Sequence, residues 1–122
     1  MDLYIGIEAC VTQAAGARTV DVIVGNRGTA ASGDNFDAIL EVESNGESLC
    51  RSSTNFITPI APGESIRALR FELHPGASAE VRQYTVRAST RFWDRGRAGA
   101  QKQLIVALPQ GRATCVPLKP VQ

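Results

Sequence analysis

Residues able to do chemistry are few in this chain of 122, and their spacing argues against a reaction centre. The single histidine, His74, stands directly before Pro75. A nucleophile paired with histidine needs an imidazole held at a fixed angle by packed neighbours. A turn between strands is a poor holder, so His74 reads as an ordinary loop residue. Cys10, Cys50 and Cys115 are far apart, which leaves no zinc spacing of the C-x-x-C kind. Asp34, Asn35 and Asp37 gather oxygens near a strand start but lack the glycine and distal glutamate of a calcium loop, and read as solvated turn residues. Glu41 and Glu43 share one outward face with nothing to bury either carboxyl and raise its pKa for acid work. The expectation is a protein that is not an enzyme and that holds no metal or cofactor.

One stretch differs. Arg91-Phe92-Trp93-Asp94-Arg95-Gly96-Arg97 mixes aromatic and basic side chains, and Trp and Arg stack on flat ligands and supply much of the binding energy at interfaces. Arg91, Phe92, Trp93, Arg95 and Arg97 are therefore the candidate binding residues. They would serve a protein partner or self-association first, and a carbohydrate or small ligand second. In the competing reading, Phe92 or Trp93 caps one end of the core; both readings stand at this point.

The elements that position these residues follow from a period of two. Leu3, Ile5, Ile7, Ala9 and Val11 alternate with more polar or smaller residues, and Val20, Val22 and Val24 repeat the pattern after a polar turn. Phe36, Ala38, Leu40 and Val42 alternate with Asp37, Ile39, Glu41 and Glu43. Asn45-Gly46 then suits a two-residue hairpin, because both residues tolerate positive φ. That hairpin would pair Val42 with Leu49, placing Leu49 on the core side and Cys50 outward. Ala61-Pro62-Gly63-Glu64 supplies a further turn. Leu69, Phe71 and Leu73 form the next strand, ended by His74-Pro75-Gly76. Tyr84, Val86 and Ala88 define another, and the apolar run Leu104 to Leu108, stopped by Pro109, reads as the last. No segment carries an apolar 3.6-residue stripe long enough for a substantial helix, and no fixed repeat appears. About seven strands at short intervals indicate an all-β, Ig-like or fibronectin-III-like Greek-key sandwich. It would occupy residues 1–108, with 109–122 as a Pro-containing tail.

The composition, 43% hydrophobic and 20% charged, is that of a globular chain able to bury a core at this length. No apolar run reaches the ~18 residues of a membrane span, and residues 1–4 lack the basic and apolar regions of a signal peptide. The net charge is +1. Acidic residues crowd the first fifty positions, and basic ones gather from Arg82 to Lys102. Such asymmetry can mark a nucleic-acid surface. The reading preferred is that acidic and basic strands lie side by side, with Asp37, Glu41 and Glu43 facing Arg87 and Arg91 across the third and sixth strands; nucleic acid is then not a partner. The same strand order brings the three cysteines to one end of the sandwich. An odd count allows one bridge, expected between Cys10 and Cys115, with free thiols as the alternative.

Val24-Gly25-Asn26-Arg27-Gly28-Thr29-Ala30-Ala31-Ser32-Gly33, the Asn45-Gly46 hairpin, Ile60-Ala61-Pro62-Gly63-Glu64-Ser65 and Tyr84-Thr85-Val86-Arg87-Ala88 together are similar to the CARDB family of bacterial, cell-adhesion-related, Ig-like modules. The resemblance covers roughly residues 3–108. It implies a non-catalytic module of an extracellular or cell-surface protein, usually one of several in a chain. Tyr84 falls where a tyrosine corner would stand, with Val86 in place of the antibody-domain cysteine.

Overall fold

In the strand Phe36–Ser44 burial alternates without a break: Phe36, Ala38, Leu40 and Val42 are fully buried, while Asp37, Ile39, Glu41 and Glu43 reach the outer surface. That alternation, repeated along the chain, builds the fold. The structure is a computed structural model and describes residues 3–11, 17–29, 36–56, 60–77, 80–92 and 99–118. Its strands are β1 (Leu3–Val11), β2 (Arg18–Asn26), β3 (Phe36–Ser44), β4 (Glu47–Phe56), β5 (Ser65–Pro75), β6 (Val81–Phe92), β7 (Gln101–Pro109) and β8 (Gly111–Pro117). They form two antiparallel sheets in the orders β1-β2-β5-β8 and β4-β3-β6-β7. The inner faces meet in one core, in which Val20, Val22, Val24, Leu69, Phe71 and Leu73 face Leu40, Val42, Tyr84 and Val86. Each such side chain removed from water contributes roughly 1.5–3 kcal/mol. The architecture is a Greek-key β-sandwich, and the third and sixth strands are neighbours as the charge pattern required.

Two loop motifs that look unrelated in sequence meet at one end. Asn26, buried at the close of β2, donates from Nδ2 to the Ile60 carbonyl at 2.9 Å. Its backbone N–H donates to the Glu64 carbonyl at 3.0 Å, and its own carbonyl accepts from Gly63 N–H at 2.9 Å. The Ala61–Glu64 turn closes with a Glu64 N–H to Ala61 carbonyl bond of 3.1 Å and has Gly63 at φ +81°. Proline at the second position and glycine at the third suit a type II turn. The turn is thus pinned to the end of β2, which fixes where β5 enters the sheet.

Four expectations need correction. There are eight strands, not seven: the segment expected as a tail supplies β8, which pairs with β5 from Leu69↔Pro117 to Pro75↔Gly111. Only residues 119–122 of it lie outside the described residues. The hairpin turn forms as expected, with Asn45 at φ 53° and Gly46 at φ 79°, but the pairing slips by one residue between Val42 and Glu43. Val42 therefore faces Cys50 rather than Leu49. A bulge inserts one extra residue into β4 and turns the next side chain to the opposite face, so Cys50 points toward the neighbouring sheet instead of outward. His74 is not a loop residue; it closes β5, half-buried, opposite Arg112.

Candidate functional site

The outer face of the β4-β3-β6-β7 sheet carries a groove of about 560 Å³, lined among others by Ile39, Glu41, Arg51, Arg87, Lys102 and Gln103. Register places these groups. Arg51 of β4 stands opposite Glu41 of β3, Glu41 opposite Arg87 of β6, and Arg87 opposite Gln103 of β7. Arg87 is committed to its neighbours: its NH2 nitrogen lies 2.9 Å from Glu43 Oε1, its NH1 nitrogen 3.9 Å from Glu41 Oε1, and its Nε donates to Gln103 Oε1 at 3.0 Å. With Arg87 46% exposed, these pairs contribute only tenths of a kcal/mol to stability. Their consequence is positional, because a long flexible side chain is held flat across the sheet. Arg51 and Lys102 differ. Both are exposed, and neither has a carboxylate within ion-pair distance among the described residues. Register sets Lys102 opposite the buried Ala88, on the face away from Arg87 and Gln103, so it borders the groove only at the β7 rim. Arg51 is the groove's cation without an ion-pair partner among the described residues, beside Ile39.

The expected contact residues fare unequally. Phe92 is 7% exposed and packs in the core, its ring 5.4 Å from that of Phe36, which in turn stacks on Phe56 at 4.9 Å. The core-capping reading holds for Phe92, and its role as a binding contact is withdrawn. Arg91 is exposed at the end of β6, opposite Asp37. Trp93, Arg95 and Arg97 lie outside the described residues, as do Asp34 and Asn35. Asp37 accepts a hydrogen bond from Asn55 Nδ2 at 2.8 Å, and no cluster of metal-ligating side chains occurs among the described residues.

The expected bridge is also corrected. Cys115 of β8 bonds to Cys50 of β4, with Cα atoms 5.6 Å apart, and Cys10 is a free, exposed thiol. The bulge brings this about: it rotates Cys50 toward β8, while β1, which carries Cys10, lies at the far edge of the same sheet as β8. Cys10 Sγ instead sits 2.8 Å from Thr19 Oγ1 on its own sheet. Tyr84 is fully buried as a corner residue would be, but its hydroxyl donates forward to the Pro109 carbonyl at 3.3 Å, not to the chain just before it.

Sequence reasoning missed a second charged cluster. Asp21, on the outer face of β2, has no exposed side-chain surface because Arg67 and Arg70 of β5 cover it. Arg70 grips both oxygens, Nε to Oδ1 at 2.7 Å and NH2 to Oδ2 at 3.2 Å, and Arg67 adds a 2.7 Å bond to Oδ2. The Asp21 bond raises the Arg70 pKa above its ordinary value, against the opposing effect of burial. Both Asp21 oxygens are engaged by β5 and the side chain is fully buried, so this cluster holds strands together and presents no carboxylate to a ligand. Its only mark in the sequence is an aspartate inside the apolar run Val20–Val24.

No family model matches this chain, and a search of curated proteins finds no match. Two solved structures resemble it. One is Bacteroides uniformis beta-glucuronidase 2 covalently bound to cyclophellitol-6-carboxylate aziridine; the other is Bacteroides uniformis beta-glucuronidase. Each aligns with a TM-score of 0.50 at 16% sequence identity, over 87% of this chain. The chain spans only 13% of the length of either. At that identity the likeness shows the β-sandwich fold and nothing of function.

Proposed function

We propose that this chain is a non-catalytic interaction module that receives a carboxylate-bearing segment of a partner protein in the groove of the β4-β3-β6-β7 sheet. The observation that carries the reading is Arg51, exposed and without an ion-pair partner among the described residues, in the same groove as an Arg87 already fixed by Glu41, Glu43 and Gln103, with Lys102 at the β7 rim. Exposed complementary charge raises the rate of encounter and selects partners more than it adds affinity, which suits a reversible contact. A sandwich that recurs as a small part of much longer chains also fits a module. So does the resemblance to CARDB modules, whose adhesive role would become association with an acidic protein surface. The Cys50–Cys115 bridge supports an extracellular or cell-surface setting, since disulfides persist in oxidising compartments.

A second reading, a carbohydrate or small-ligand module, draws on the glutamines and serine beside the cations, which would serve sugar hydroxyls as well as peptide groups. Titration with a dye-labelled oligoglutamate peptide, followed by anisotropy at low and high salt, separates the two. The protein reading expects binding that weakens with salt and falls at least tenfold in Arg51→Glu/Lys102→Glu. A fluorescence response of Trp93, the chain's one tryptophan, to a glycan panel with no peptide binding would replace it by the carbohydrate reading.

A further inference from the structure

A four-stranded sheet has two edges, and each edge presents unpaired backbone groups on which another strand can add. Three of the four edges here are blunted. The β4 edge has a bulge in its pairing with β3, carries Glu47 and Arg51, and is tied to β8 by the disulfide. The β8 strand is seven residues long, bounded by Gly111 and Pro117. The β1 edge carries Gly6 and an exposed Glu8 at its centre. The β7 edge is the least protected of the four, with its one charge, Lys102, and its proline, Pro109, confined to the ends of the strand. It pairs with β6 over nine residues with no register shift, and from Leu104 to Leu108 it contains no charge, glycine or proline. Ile105, at its midpoint, is 57% exposed. On the inner side an apolar slot of about 160 Å³ opens between the sheets beside this edge, lined by Ala9, Cys10, Val20, Val106 and Leu108 among others.

We propose that the β7 edge is a self-association surface, on which β7 of a second copy adds antiparallel about a two-fold axis through Ile105. The strand matches itself in this register. Ile105 faces Ile105, Leu104 faces Val106, Gln103 faces Ala107, and Lys102 faces Leu108. Lys102 is the only charge on the strand. Six residues at about 3.4 Å each hold the two Lys102 groups about 20 Å apart along the sheet, more than twice the Debye length of about 8 Å in physiological salt, so no like-charge repulsion opposes the pairing. The incoming Leu104, Val106 and Leu108 lie on the inner side and cover the slot. Pro109, which lacks an N–H, falls at the end of the ladder, where its loss costs least. The symmetry closes on itself, giving a dimer and not a fibre. An interface of one strand edge is small, and the association is correspondingly reversible. This surface adjoins the groove proposed above and shares Lys102 and Gln103 with it, but its argument and its test do not rest on that reading.

The test is sedimentation equilibrium of the full chain from about 10 µM to about 1 mM, the range in which a contact of this size is expected to act. The expected result is a mass rising toward twice that of the monomer. In Ile105→Lys the doubling is lost while the melting temperature stays within a few degrees, because that side chain already faces water. Mixing Ile105→Lys with Ile105→Glu restores the doubled mass. A monomer at every concentration, or a dimer indifferent to Ile105→Lys, overturns the proposal. Should Ile105→Lys unfold the chain, register is read by cross-linking in a Cys10→Ser background. Gln103→Cys mixed with Ala107→Cys should oxidise to a dimer at least tenfold faster than Gln103→Cys alone, and equal rates refute the pairing.

Discussion

Reduction of the Cys50–Cys115 bridge gives the most quantitative test of how the sandwich is held. The cysteines are 65 residues apart in sequence, and closing a loop of that length in the unfolded chain removes about 14 cal/mol/K, or about 4 kcal/mol at 25 °C. Domains of this kind have a total stability of roughly 5–15 kcal/mol, so the bridge supplies a large share of it. With an unfolding entropy of about 2.1 cal/mol/K per residue, 4 kcal/mol in a chain of 122 residues corresponds to a fall in melting temperature of roughly 15 °C. The bridge joins β4 to β8, the edge strands of different sheets. Its loss should therefore loosen that edge while leaving the core registers in place. Thermal melts followed by circular dichroism, with and without reductant and in Cys50→Ser/Cys115→Ser, measure the effect. Cys10→Ser is the control expected to change little. A shift below about 3 °C, or three thiols titrating in the denatured chain without reductant, would refute the pairing or the entropic reasoning behind it.

Two further substitutions probe the remaining supports. Arg70→Met leaves the fully buried Asp21 carboxylate with Arg67 alone and should cost about 3 kcal/mol. Asp21→Ala frees two arginines that can reach water and should cost less, about 1.5–3 kcal/mol; urea unfolding of both variants checks the order. Phe92→Ala should lower stability by about 3–5 kcal/mol, as truncation of a buried aromatic does, and should leave oligoglutamate affinity unchanged in the fraction that remains folded.

Much of the fold was legible because the period-two signal is strong wherever one face is buried. Leu40 and Val86 inside with Glu41 and Arg87 outside follow directly from it, while the β3–β6 pairing was legible from the opposite charges those two strands carry on their outer faces. The β8 strand was not legible. Its seven residues alternate weakly, sit at a sheet edge and lie between Pro109 and Pro117, which read as breaks. The wrong cysteine pairing has two causes: the missed β8, which sets Cys115 at the far edge of the sheet from β1, and the bulge at Val42/Glu43, which turns Cys50 inward. A one-residue slip reverses every later side chain of the strand, and no residue type announces it. Phe92 could have been placed, since Tyr84, Val86, Ala88, Thr90 and Phe92 continue one unbroken alternation into the core. The basic residues that follow it drew it into the loop instead. The groove depends on which cross-strand neighbours Arg87 finds, and a single strand's sequence does not carry that information.

The claim that most needs testing is that contact runs through the outer face of the β4-β3-β6-β7 sheet. Amide chemical-shift mapping of the isotope-labelled chain during oligoglutamate titration reads it directly. The expected perturbations cluster around Arg51, Glu41, Arg87 and Gln103 and vanish in Arg51→Glu/Lys102→Glu. Shifts confined to the opposite sheet around Asp21, Arg67 and Arg70, with that face silent, would contradict it.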